Sequence, residues 1–313
     1  MNVKKIAIGV DVGGSHVSSA AFDLETQNYL KDTFAENDLD NHAGAEVIIE
    51  SWGKTIQKTI DLVGVEQVAG IGFAMPGPFD YEKGIPLFKG ENNKYENIYG
   101  LDVPKALREY LELPAGLPVR FINDATAFAI GEDWVGKAKG SSRSLSVTLG
   151  TGFGSAFLKD SLPVTAGDEV PDQGCVWHLP FGKGIADDYF STRGLVARYL
   201  EATGKTVTGA KEVAVAAAGE PEAQAIFDDF GRKLVELLQP WFVKFNVEAL
   251  VIGGNISNAF PLFQPALNEA LQKEGLDIKV ELSALKETAA IIGSARLIET
   301  GFWERVAPCL ANM

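Results

Sequence analysis

Ile8-Gly9-Val10-Asp11-Val12-Gly13-Gly14-Ser15-His16-Val17-Ser18-Ser19-Ala20-Ala21-Phe22 reads as an apolar strand, a turn of small residues and a second apolar strand. The same arrangement returns in the second half of the chain as Val147-Thr148-Leu149-Gly150-Thr151-Gly152-Phe153-Gly154-Ser155-Ala156-Phe157. Glycine tolerates positive φ and carries no Cβ, so such a turn can bring backbone N–H groups up to a phosphate. One hairpin of this kind in each half implies a nucleotide clamped between two related domains.

Length and composition agree with two domains. The chain has 313 residues and 46% hydrophobic content, more than one core usually takes and enough to bury two. No run of about 18 apolar residues reads as a membrane span, and Met1-Asn2-Val3-Lys4-Lys5-Ile6 enters a strand without a secretory pattern. A cytoplasmic location is the expectation. Two cysteines, Cys175 and Cys309, build neither a disulfide framework nor a thiolate cage, which fits a reducing compartment. The net charge of −14 and the absence of a basic run argue against a nucleic-acid partner. They leave a nucleotide site open, because local N–H groups and a divalent cation can supply the positive field.

In the first half the pattern predicts strands near 5–10, 16–23 and 27–34, a helix near 43–63, a strand near 67–74, a helix near 103–113 and a strand near 118–122. The second half opens again with strands near 143–149 and 152–158. Helices near 184–203 and 219–246, a strand over 249–252 and a helix from about 256 follow. Three strands followed by alternating helix and strand predict a mixed sheet with helices on its faces, once in each half. The absence of a low-complexity linker favours a tight hinge.

Five motifs now stand in order: Asp11-Val12-Gly13-Gly14-Ser15, Met75-Pro76-Gly77-Pro78-Phe79-Asp80, Asn123-Asp124 with the helix start that follows, Leu149-Gly150-Thr151-Gly152-Phe153-Gly154, and Val251-Ile252-Gly253-Gly254-Asn255. Together they resemble the ROK sugar kinases, within the actin, hexokinase and Hsp70 superfamily, from residue 5 to about 298. A single glycine motif is weak; five in order are not. The resemblance implies an α/β, two-domain actin-like ATPase (ribonuclease H-like) fold with mixed sheets, duplicated N-terminal hairpins and an interdomain cleft. The expected domains are 1–121 with about 288–313, and 122–287, the last helix near 287–299 returning to the N-terminal domain. A homodimer is also implied.

The same resemblance implies transfer of the γ-phosphoryl group of Mg-ATP to a hexose hydroxyl, the 6-hydroxyl of glucose or of a related hexose or N-acetylhexosamine. Asp124 would be the base and Asn123 a sugar ligand, although either residue type also suits a helix cap. Asp11, between a strand and two glycines, would position Mg²⁺; an Asx-type turn is the plainer reading of it. Gly13, Gly14 and Ser15, with Ser15 standing where the family has threonine, would face the phosphates from one side. Thr151 and Gly152, with Gly154, would face them from the other. Gly254 and Asn255 resemble an adenosine-side turn, or form a simple strand-to-helix connection. Gly77 and Asn93, the latter in the polar stretch Glu91-Asn92-Asn93, are expected near the sugar.

The segment Cys175-Val176-Trp177-His178 through Gly184-Ile185-Ala186-Asp187-Asp188 departs from the family pattern. His178 is kept, Cys175 aligns with a sugar-binding glutamate, Asp187 aligns with the final glutamate, and the cysteine-rich zinc loop is missing. With one cysteine and one histidine here, a four-ligand zinc site cannot be assembled, so no zinc is expected. His178 and Asp187 are read as substrate ligands, with a packed core histidine and a helix-dipole acid as the plainer alternatives. Glu169 is a candidate replacement for the lost carboxylate. Two other functions share this body: a sugar-sensing ROK regulator, disfavoured because the hairpin begins by residue 5, and a non-sugar ATPase without kinase activity.

Overall fold

The computed structural model describes residues 5–90 and 94–313. They form two compact units, Met1–Val135 with Glu287–Met313, and Gly136–Lys286.

In the first unit, β1 (Ile6–Val12) pairs antiparallel with β2 (His16–Asp23), and β2 with β3 (Asn28–Asp38). Helix α1 (Ala45–Val63) follows. Strand β4 (Val68–Met75) lies parallel to β1. A short ribbon, β5 (Phe79–Asp80) and β6 (Ile85–Pro86), leads to α2 (Val103–Tyr110) and to β7 (Val119–Asn123), parallel to β4. The sheet order is β3-β2-β1-β4-β7. Burial follows position: β1 is an apolar run covered on both faces, whereas the edge strand β3 exposes Lys31, Asp32 and Glu36. On α1 the residues Ile48, Trp52, Ile56 and Ile60 are spaced for one face of a helix, and all are buried. Helix α3 (Asp124–Trp134) begins directly at the end of β7.

The second unit repeats this plan. β8 (Arg143–Leu149) and β9 (Phe153–Lys159) form the second hairpin, extended by β10 (Leu162–Pro163). After the ribbon β11 (Pro180–Phe181) and β12 (Gly184–Ile185) come α4 (Ala186–Phe190), α5 (Thr192–Thr203), α6 (Ala210–Ala216) and α7 (Pro221–Phe245). Strand β13 (Ala249–Gly253), helix α8 (Phe260–Lys273) and β14 (Lys279–Leu282) complete it. The order β10-β9-β8-β13-β14 carries the same pairing directions as the first sheet. The duplicated hairpin is thus a duplicated five-stranded mixed sheet.

The second core is threaded by aromatic rings. Phe153 meets Phe190, Phe190 meets Phe230 and Phe230 meets Phe263, with centroids 5.2, 5.2 and 5.1 Å apart. Such pairs add modestly to the burial of their area. This chain of rings ties the first residue of β9 to α4, α7 and α8.

The C-terminal segment supplies α9 (Thr288–Arg296) and α10 (Thr300–Val306) to the first unit. Helix α9 lies unusually close to the sheet, because β1 and β4 carry glycine where it crosses. A Cβ on Gly9 would collide with the Ile291 carbonyl, and one on Gly72 with that of Ser294. Helix α3 approaches α9 equally closely: a Cβ on Gly293 would collide with the Ala127 carbonyl. The ion pair of Arg296 with the buried Asp133, 3.1 Å, closes the same contact.

Two expectations are revised. Helix α3 counts with the first unit, so the boundary falls at Val135/Gly136 instead of 121/122; its packing on α9 is the reason. The single helix expected near 184–203 is two helices. Ser191 is extended (φ −90°, ψ 170°), and Thr192 begins anew by binding the Gly150 carbonyl through its N–H (2.8 Å) and its hydroxyl (2.9 Å).

Candidate active site

In the first sheet Asp11 stands opposite Ala74, and Met75 opposite Asn123. Strands are ~4.8 Å apart, which sets Asp11 and Asn123 about 10 Å apart across β1, β4 and β7. Three of the five motifs therefore emerge at the carboxyl ends of adjacent parallel strands, where open α/β sheets bind ligands.

The β1–β2 turn has its carbonyls tied inward. Tyr95 Oη donates to Gly13 O, Asn41 Nδ2 to Gly14 O, and Leu39 N to Ser15 O at 2.9 Å. Gly13 N donates to His16 O at 3.0 Å. The N–H groups of Gly14 and Ser15 have no partner among the described residues. Two adjacent amides left open in a glycine turn are donors available to an anion.

The β8–β9 turn is built alike from different residues. Gly150 N donates to Gly152 O at 3.0 Å, Gly150 O accepts from Thr192, and Phe153 N donates to Asp187 Oδ1 at 2.6 Å. Here the amides of Thr151 and Gly152 are the two without a partner among the described residues. Gly254 sits against this turn with φ +80°, its Cβ position filled by the backbone of Leu149, so only glycine fits. Asn255 N lies 4.0 Å from where a Cβ on Gly150 would be.

Asn123, not Asp124, caps α3: its Oδ1 accepts from Thr126 N at 3.1 Å and Thr126 Oγ1 at 3.3 Å. Its Nδ2 donates to Asp124 Oδ1 at 3.0 Å and to Tyr81 Oη at 3.4 Å. Asp124 Oδ1 also accepts from Ala125 N at 2.8 Å, while Oδ2 accepts from no other described residue. Burial pushes the Asp124 carboxyl above the usual range, offset in part by Ala125 N–H, Asn123 and the Lys94 ammonium. Asp11 is pushed up to about 7, first by burial and then by the charges of Asp124 and Glu287. A carboxylate held among acids gains most from a cation, which fits a divalent ion shared with phosphates. Among the described residues no three histidine, cysteine or acidic side chains form a ready metal cage.

Gly77 follows β4. A Cβ there would stand 3.4 Å from Tyr81 Oη, which itself donates to Met75 O at 3.1 Å. Tyr81 thus joins Gly77, Asn123 and Asp124 into one group. Asn93 lies outside the described residues. In the second unit His178 Nδ1 is 3.7 Å from Cys175 Sγ, and burial pushes that thiol up to about 11. Asp187 has both oxygens engaged, Oδ1 by Phe153 N and Oδ2 by Arg193. Glu169 is paired with Arg143 (2.8 Å) and Lys159 (3.5 Å) at the opposite end of the hairpin from its turn. Val176, the residue after Cys175, bonds Ser155 four residues along the hairpin from those partners, so the Glu169 charge is engaged away from the place of the lost glutamate.

Sequence reasoning passed over Asn41, Tyr81, Lys94, Tyr95, Arg193 and Glu287. Tyr95 carried a usable signal, being an aromatic inside a polar loop, and it is 1% exposed. Glu287 and Asn41 carried none, since each acts through a contact distant in sequence.

A family model described as ROK family matches residues 7–300. An N-acetyl-D-glucosamine kinase of Photobacterium profundum is 27% identical over 299 residues, covering 86% of this chain and 90% of that protein. A glucokinase of Thermotoga maritima is 26% identical over 322 residues, covering 93% and 96%. The solved structure of a ROK family glucokinase from Streptomyces griseus, in complex with glucose and AMPPNP, superimposes with a TM-score of 0.72 at 22% identity, covering 93% of this chain and 98% of that one.

Proposed function

The chain belongs to the ROK family, and on that premise we propose that it is an ATP-dependent sugar kinase, with Asp124 as the catalytic base. The acceptor is a hexose or N-acetylhexosamine hydroxyl, as in the named activities of its relatives. One observation carries the assignment of the base: Asp124 has one carboxylate oxygen fixed by Ala125 and Asn123 and the other open, close enough to Asp11 for its charge to help push the Asp11 pKa up.

In the reaction the acceptor hydroxyl gives its proton to Asp124 Oδ2 as its oxygen bonds to the γ-phosphorus. The bond from that phosphorus to the β,γ-bridging oxygen breaks, and its electron pair leaves with ADP. The paired amides of Gly14 with Ser15, and of Thr151 with Gly152, hold phosphate oxygens. Gly13 shapes the first turn, and Gly254 with Asn255 faces the nucleoside. Asp11 would position Mg²⁺, which when bound would neutralise phosphate charge. Asn123 and Gly77 border the acceptor beside Asp124, and His178 is assigned to the acceptor as well. A homodimeric assembly belongs to the same reading, and light scattering checks it. Among the described residues no helix is long and apolar enough to cross a membrane.

Phosphorus NMR of the protein incubated with Mg-ATP and a panel of hexoses and N-acetylhexosamines tests the proposal. A sugar phosphate ester forming together with ADP supports it. Phosphate release without an ester would move the protein to the ATPases.

A further inference from the structure

We propose that Lys94 is a further catalytic residue, its ammonium contacting the γ-phosphoryl group of the nucleotide. The inference rests on the kinase reading above but on a different observation. On the face of Gly14 where a side chain would project, the nearest atoms all belong to Lys94: Nζ, Cε and Cδ stand 3.0, 3.5 and 3.8 Å from that Cβ position. The ammonium therefore lies beside one of the two open amides of the first turn.

Its placement is built in. Tyr95, the next residue, is buried against Trp52 and Phe88, with ring centroids 6.0 and 5.6 Å away. It holds a left-handed backbone (φ 58°), a conformation that a non-glycine residue keeps only when its surroundings enforce it. Its N–H donates to Asn41 O at 2.9 Å, its hydroxyl to Gly13 O, and Asn41 Nδ2 to Gly14 O. The Lys94 loop and the phosphate turn are thus bolted together through both carbonyls of the Gly13-Gly14 pair. Lys94 makes no ion pair with a described residue, although Asp124 feels its charge.

Asp11, Asp124 and Glu287 make this surroundings acidic, so an incoming γ-phosphate meets repulsion that a fixed cation beside the turn removes. A point charge there favours the group that carries the most negative charge, the terminal phosphoryl, and favours it further as transfer proceeds. ADP lacks that group.

Binding of AMPPNP and of ADP, measured by calorimetry on the full chain and on its K94M and K94R variants, decides the matter. The expected result is that K94M weakens AMPPNP at least tenfold more than ADP, that K94R restores most of the difference, and that kcat of K94M falls about a hundredfold with the sugar KM within threefold. Equal weakening of both nucleotides, or none, would overturn the role. The nucleotide comparison needs no acceptor, so it reports on Lys94 even if the wild-type chain fails to phosphorylate a sugar.

Discussion

Asn123 Nδ2 donates to Asp124 Oδ1 at 3.0 Å while Asn123 Oδ1 caps α3. The two residues divide the work that either could have done: the asparagine terminates the helix, and the aspartate is released from capping and held with one oxygen open. Replacing Asp124 with asparagine keeps the shape and removes the base. Turnover should drop about 10²–10⁴-fold with the KM for ATP changed less than threefold. Steady-state kinetics on the purified variant measures both.

Asp11, pushed up to about 7, gives a stability prediction with a definite sign. Its folded pKa lies above that of an ordinary aspartate, so the metal-free protein loses stability as pH rises from about 4 through 7. Asp11→Asn removes that loss. Without Mg²⁺ or nucleotide, the variant should gain on the wild type in melting temperature as pH rises, standing at or below it near pH 4 and above it at pH 8. Saturating Mg-ATP should reverse the order at pH 8.

Asp187 was expected at the sugar, yet its carboxylate holds the Phe153 amide and Arg193. Its loss should loosen the second turn. Asp187→Ala is expected to raise the KM for ATP about tenfold, near 1.4 kcal/mol for a charged hydrogen bond, with the sugar KM within threefold. A larger effect on the sugar would return Asp187 to the acceptor.

Gly9 and Gly293 tie the fold to the site by letting α9 lie on β1 and α3. An alanine at either position meets backbone, which cannot move aside as a side chain can. Gly293→Ala should destabilise the protein by about 1–3 kcal/mol, as overpacking does, seen as a lower midpoint in urea.

Cys175, with its thiol pushed up to about 11, should resist alkylation at pH 8 and react only above pH 10. Mass spectrometry of iodoacetamide-treated Cys309→Ser protein follows it alone.

The hairpins, the mixed sheets and the five motifs were legible in the sequence because their signals are local: β-branched runs, glycine turns and the Asn123-Asp124 pair at a strand end. The break at Ser191 was not, since Ala186–Thr203 reads as continuous helix until the Gly150 carbonyl claims Thr192. Membership of α3 in the first unit was hidden for a related reason. Gly131 and Gly293 mark a close helix crossing only when their partner helix, distant in the chain, is known. Glu169 was drawn to the site by its nearness in sequence to His178, whereas its charge is spent on Arg143 and Lys159. Lys94 lay unremarked beside Asn93 because a lysine in a polar loop has no pattern of its own; only Gly14 shows what it faces.

Coupled ADP release with Mg-ATP across hexoses, amino sugars and N-acetylated sugars, with a no-sugar control and the Asp124→Asn protein in parallel, tests sugar phosphorylation through Asp124. The expected result is ADP release that requires one class of sugar and is lost in the variant. Release that is independent of sugar, or that survives in the variant, would contradict it.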